Sequence, residues 1–242
     1  MSRDTQAECP DLLVIPHCLG HAPWFPTSDA HFTYEALLMA CSLYPDDVRR
    51  MFDHWGESAL LRFEAVAQAM VDHDLPRLIW IGQDICDAKG PVLSPDLLRR
   101  LYFPQIARAI EPLKQRGVRI VWHADANYRL ILDDLIALGI DGFQGFYETP
   151  AGIRLEDLAR RTNREGQPLL LFGSVATVWV LPHGSVANVE REVERNLNVD
   201  AGRGGLLLAP TSSIGPEVPA ENVFAMYRHA LEYRPGTGAA QP

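Results

Sequence analysis

The sequence predicts an α/β protein built on a parallel sheet, with about six of the eight βα units of a (β/α)8 TIM-barrel type. Two observations carry this. Short apolar runs recur at Leu12–Cys18, Leu78–Asp84, Arg119–Asp125, Gly142–Tyr147, Leu169–Val175 and Gly205–Thr211, each reading as a buried strand. Longer amphipathic stretches separate them, and such alternation implies parallel strands joined by right-handed crossovers. The chain has 242 residues, near the roughly 250 typical of a closed barrel. An open doubly wound sheet is the structural alternative. No glycine-rich phosphate loop follows the first run and no GxGxxG occurs, which weakens a dinucleotide fold.

The intervening stretches carry helix signals. Between the first two runs, Tyr44-Pro45-Asp46-Asp47 opens a helix with apolar positions at Val48, Met51, Trp55, Phe63, Val66 and Met70. Ser94-Pro95-Asp96 caps the next, Leu97, Leu101, Ile106, Ile110 and Leu113 supply its stripe, and Gly117 closes it. Pro104 and Pro112 fall inside that span and predict a kink or a break. Asn127 caps a helix ending at Gly139, Ser185 caps another, and Pro219 opens a last one running to about Tyr233. Residues 10–234 are read as one barrel domain, flanked by disordered tails at 1–9 and 235–242.

Composition narrows the function. Hydrophobic residues make up 47% and charged residues 22% of the chain, the balance of a soluble globular protein. The longest apolar runs, such as Gly204–Pro210, are too short to span a bilayer, and Met1–Pro10 carries no secretory leader pattern. The net charge is −9 without a Lys/Arg run, so no gain from counterion release favours nucleic acid. The four cysteines, Cys9, Cys18, Cys41 and Cys86, lack CxxC spacing, which argues against a disulfide framework or a zinc knuckle. A cytoplasmic location is expected.

The candidate chemistry lies at strand ends. On Arg119–Asp125, residues two apart share a face, so Val121, His123 and Asp125 point one way and Ile120 and Trp122 the other. In a parallel barrel the C-terminal strand ends hold the active site. His123 and Asp125 would emerge there together, as a metal pair or as a histidine oriented by a carboxylate. Asp84, Glu148 and Ser212 end three other runs, and His17, Cys18 and His21 follow the first. Taken singly, each also reads as a helix cap or loop hydrogen-bonder. Trp24, Phe25 and Phe32 line a pocket or pack a loop.

With those residues placed, the sequence resembles the uroporphyrinogen decarboxylase superfamily, which also holds zinc-dependent, corrinoid-linked methyltransferases. The resemblance rests on Ile79–Asp84, Gly90–Pro95 with Phe103-Pro104, Val121–Asn127, Gly139–Gly142, Glu148–Gly152, Phe172–Ser174, Leu208–Pro210 and Val218–Asn222, in matching order from about residue 12 to 234. It implies a (β/α)8 barrel and so favours the barrel over the open sheet. It also implies a small-molecule substrate, a homodimer and, for the methyltransferases, a corrinoid protein as partner.

Two departures shape the functional expectation. The N-terminal portion of the family pattern, with the arginine-rich segment and the pyrrole-binding aspartate of true decarboxylases, has no counterpart here, and their Gly-His-Gly reads Ser213-Ile214-Gly215. Where the methyltransferases carry His-x-Cys and a later Cys, this chain has His123, Asp125 and Ser212. The resemblance therefore implies a non-thiolate zinc site of His123 and Asp125, completed or supported by Glu148. Asp84 and Glu148 become the catalytic candidates, and His21 and Ser212 the substrate-binding ones. The expected function is metal-assisted methyl transfer. The alternatives are a metal-free, decarboxylase-like lyase using Asp84 and His123 for proton transfer, and an incomplete, non-catalytic barrel: a fragment, a mis-started reading frame, or one part of a dimer whose partner closes the gap.

Overall fold

The structure, a computed structural model, describes residues 7–8, 15, 22–23, 25, 33–146, 152–200 and 202–235. Five of the six expected strands fall among them: β1 (Leu78–Gly82), β2 (Arg119–His123), β3 (Gly142–Gln144), β4 (Leu170–Phe172) and β5 (Leu206–Leu207). All of the run Leu12–Cys18 except Ile15 lies outside the described residues, as do almost all of both expected tails. The strands pair in parallel in the order β1-β2-β3-β4-β5. A doubly wound sheet reverses its order at a switch point; this one advances in one direction, as a barrel does.

Each strand stops short of its expected C-terminal end. The apolar runs continue into polar residues and glycines that leave the ladder at the mouth. Val175 and Pro210 still form a parallel bridge beyond β4 and β5.

Curvature is visible in one contact. Trp80 on β1 and Phe172 on β4 meet edge to face with ring centroids 4.9 Å apart. Three inter-strand steps on a flat sheet would separate them by about 14 Å. The sheet therefore curls, with these rings on its concave face. Ile79, Ile81, Ile120, Trp122, Phe143 and Leu171 point the other way, fully buried in the core shared with the helices.

Helices α1 (Tyr34–Leu43) and α2 (Pro45–Asp72) precede β1. The buried stripe of α2 runs Val48, Phe52, Gly56, Ala59, Phe63, Ala67 and Met70, a 3.6-residue period. Met51, Trp55 and Val66 flank it rather than form it. The difference comes from size: Gly56 and the two alanines carry little hydrophobic signal, yet they bring α2 close to its neighbour. A side chain at Gly56 would run into Gln105, which bonds Asp53 across the contact. Phe25, a candidate pocket residue, belongs to this core, stacked on Phe52 at 5.7 Å and edge-on to Tyr102 at 5.2 Å.

The expected break in the Ser94–Gly117 helix occurs at Tyr102, between α3 (Pro95–Leu101) and α4 (Phe103–Gln115). Pro104 sits in the first turn of α4, where a missing N–H costs nothing. Pro112 does not break α4; it stands in its closing turns. Asn127 accepts the Arg129 N–H at 3.2 Å in a local turn. The helix beyond it starts later, as a 3-10 turn (Arg129–Ile131) leading into α5 (Leu132–Leu138). Gly139, at φ 110°, ends α5 in the left-handed conformation expected of a C-terminal glycine.

Helices α6 (Leu155–Ala159), α7 (Val180–His183), α8 (Val186–Asp200) and α9 (Ala220–Glu232) complete the alternation. The last three close over a second cluster of Val175, Leu181, Val189, Val193, Val218 and Met226. Among the described residues no helix is long and apolar enough to cross a membrane.

Candidate active site

Registration of the strands brings the candidate side chains to one level. Gly82 pairs with His123, His123 with Gln144, Gln144 with Phe172, and Phe172 with Leu207. Trp122 belongs to the helix-facing core, and strand alternation turns Val121 and His123 to the opposite, concave face. His123 is half-buried, Asp125 is exposed two residues further on, and Gln144 is buried.

Two hydrogen bonds organise the cluster. His123 Nδ1 bonds to Gln144 Oε1, and Ser212 Oγ donates to Asp125 Oδ2 at 2.7 Å. The Gln144 amide donates its N–H to the Thr211 carbonyl at 3.2 Å. Thr211 is held in turn: its N–H donates to the Val175 carbonyl at 2.9 Å, and its hydroxyl accepts the Thr177 N–H at 3.1 Å. The loop after β5 is thereby tied to the loop after β4, which puts Ser212 beside Asp125.

Gly145 completes the arrangement. It has φ +81°, and a Cβ there would lie 2.4 Å from Asp125 Oδ1 and 3.1 Å from His123 Nδ1. Only glycine accepts both that backbone and that approach, so the imidazole and the carboxylate meet across it.

Asp84 is exposed just past β1. The ladder ends at Gly82↔His123, two residues before Asp84 and Asp125, and Asp84 takes no part in the two bonds above. Burial, with the charges of Asp87 and Asp84, pushes the Cys86 thiol up to about 12, so this nearby sulfur is a protonated core atom rather than a nucleophile. Two arginines near the mouth are engaged elsewhere, Arg129 with the Gly152 carbonyl and Arg154 with Glu156 at 3.4 Å. His21 and Glu148 lie outside the described residues.

His123 and Asp125 are N and O donors of the kind zinc accepts, and Asp125 keeps Oδ1 outside its bond to Ser212. Among the described residues no third His, Cys, Asp or Glu joins them. A catalytic zinc takes three protein ligands, so the described donors supply two.

Three members of the cluster were missed in the sequence: Gln144, Gly145 and Thr211. A signal for Gln144 was present, since an amide inside an apolar strand must find partners when buried. Gly145 and Thr211 carried none, because their roles depend on what other strands bring.

A family model described as uroporphyrinogen decarboxylase (URO-D) matches residues 31–233. Among solved structures, a methyltransferase from Methanosarcina mazei is similar over 95% of this chain, with a TM-score of 0.67 and 20% sequence identity. The chain spans 62% of that protein's length. At this identity the likeness speaks for the fold. No curated protein matches the sequence.

Proposed function

The chain belongs to the uroporphyrinogen decarboxylase family, and on that premise we propose that it is an enzyme moving a methyl group between a small methylated substrate and a corrinoid protein. The observation that carries the reading is the convergence of His123 and Asp125 across Gly145, each oriented by its own partner. The engagement of Arg129 and Arg154 elsewhere suits a small substrate better than a polycarboxylate.

In this reading His123 and Asp125 would hold zinc, and Glu148 would be the third donor. When bound, the ion supplies Lewis acidity toward an oxygen-bearing substrate. The chain's own residues do the rest: Gln144 and Ser212 hold the two donors in place, and Asp84 orients the substrate or moves a proton at the mouth. His21 is assigned to substrate binding.

The test is the zinc content of chelator-washed protein, read alongside thermal unfolding, for wild type and His123→Ala. Near-stoichiometric zinc that is lost in a folded His123→Ala protein supports the proposal. Zinc retained in that variant sinks it. Asp84, exposed just past β1, and His123, half-buried at the end of β2, favour a second reading: metal-free proton transfer by Asp84 and His123 during loss of a carboxylate. A cooperatively folded, zinc-free protein that decarboxylates a bound tetrapyrrole would select that reading.

A further inference from the structure

We infer that Gln144 is a positioning residue that decides which nitrogen of His123 carries the proton, leaving Nε2 as the lone-pair nitrogen. Thr211 fixes which way the Gln144 amide lies. Its carbonyl can only accept, so the end of the Gln144 side chain that meets it at 3.2 Å is the NH2 group. The other end, Oε1, then faces His123 Nδ1, and an amide oxygen can only accept. Nδ1 must therefore be the N–H nitrogen of the neutral ring. Turning the amide over would set two acceptors against each other at Thr211 and leave a buried group unsatisfied.

The constraint is rigid along its length. Thr211 is fixed through its N–H and its hydroxyl, Gln144 is only 7% exposed, and the His123 ring edge lies against Gly145. The carboxylate of Asp125 is bonded by Ser212 at its Oδ2. Of the two expectations for His123 and Asp125, a histidine oriented by that carboxylate gives way: the orienting group is the Gln144 amide. A neutral imidazole so held presents a lone pair, which can bind a metal ion or take a proton and cannot donate one.

The consequence for zinc rests on the proposed function; the tautomer does not. The test is nitrogen-15 NMR of histidine-labelled, metal-free protein at a pH where the ring is neutral, followed by zinc titration against a competing chelator. Wild type is expected to show His123 protonated at Nδ1. Gln144→Leu, which removes the acceptor facing Nδ1, shifts the proton toward Nε2. Zinc affinity in Gln144→Leu falls about tenfold or more. A wild-type His123 protonated at Nε2, or an unchanged pattern in Gln144→Leu, overturns the inference. Wild type alone decides it if Gln144→Leu does not fold. The expected pattern without zinc binding supports the inference and overturns the metal reading, so the two fail separately.

Discussion

Ser212 and Asp125 are 87 residues apart in the chain and 2.7 Å apart in space. The hydroxyl holds one carboxylate oxygen and turns the other toward Gly145 and His123. Ser212→Ala removes that restraint at a half-buried position and leaves the core untouched. The variant is expected to unfold near the wild-type temperature while holding the proposed zinc about tenfold or more weakly. Calorimetry and chelator competition check both halves.

Gly145→Ala acts more harshly. The new methyl group would stand 2.4 Å from Asp125 Oδ1, on a backbone at φ +81°. Left-handed backbone costs an L-residue about 1–2 kcal/mol, and the carboxylate must move. We expect a loss of that size or more in urea unfolding and weaker binding of the proposed zinc than in Ser212→Ala. A variant as stable as wild type would contradict the close approach.

At the opposite end of the sheet, Asp141 is 1% exposed. It accepts from Lys114 Nζ at 2.9 Å, Asn163 Nδ2 at 2.8 Å and the Ile120 N–H at 2.8 Å. This network ties the start of β3 to β2 and α4. Asp141→Ala leaves a largely buried ammonium and an amide N–H without their acceptor, and removing one partner of a buried pair costs about 3–5 kcal/mol. The expected result is a large drop in melting temperature without a specific effect on the mouth.

Burial raises two thiols above their ordinary 9.0, Cys41 to about 11 and Cys86 to about 12. The folded state therefore holds their protons more tightly than the unfolded chain. Their contribution to stability is complete below about pH 9 and is lost as pH rises from there toward 11 and 12. Neither thiol should react with a disulfide reagent at pH 7.5 until the protein unfolds, a result that mass mapping of labelled peptides can read.

Where apolar runs mark the buried strands, the fold was legible. Leu78–Gly82 and Ile120–Trp122 are continuous apolar segments because a parallel sheet is covered on both faces. Caps were legible for the same local reason: Ser94 and Ser185 accept N–H groups of the helices that follow them. The stripe of α2 was partly missed, since a helix that packs closely uses glycine and alanine, which periodicity does not weigh.

By itself the sequence determined the alternation of strands and helices, the positions of most helix ends, and the presence of His123 and Asp125 on one face of a strand end. Those properties follow from residues within a few positions of one another. Only the tertiary structure decided that Gln144 rather than Asp125 holds the histidine, that Ser212 holds Asp125, and that Gly145 is the point where they meet. These contacts join β2, β3 and the loop after β5, and hydrogen bonds between segments up to 87 residues apart leave no periodic trace in the chain. They exist because a curled parallel sheet delivers its strand ends to one place.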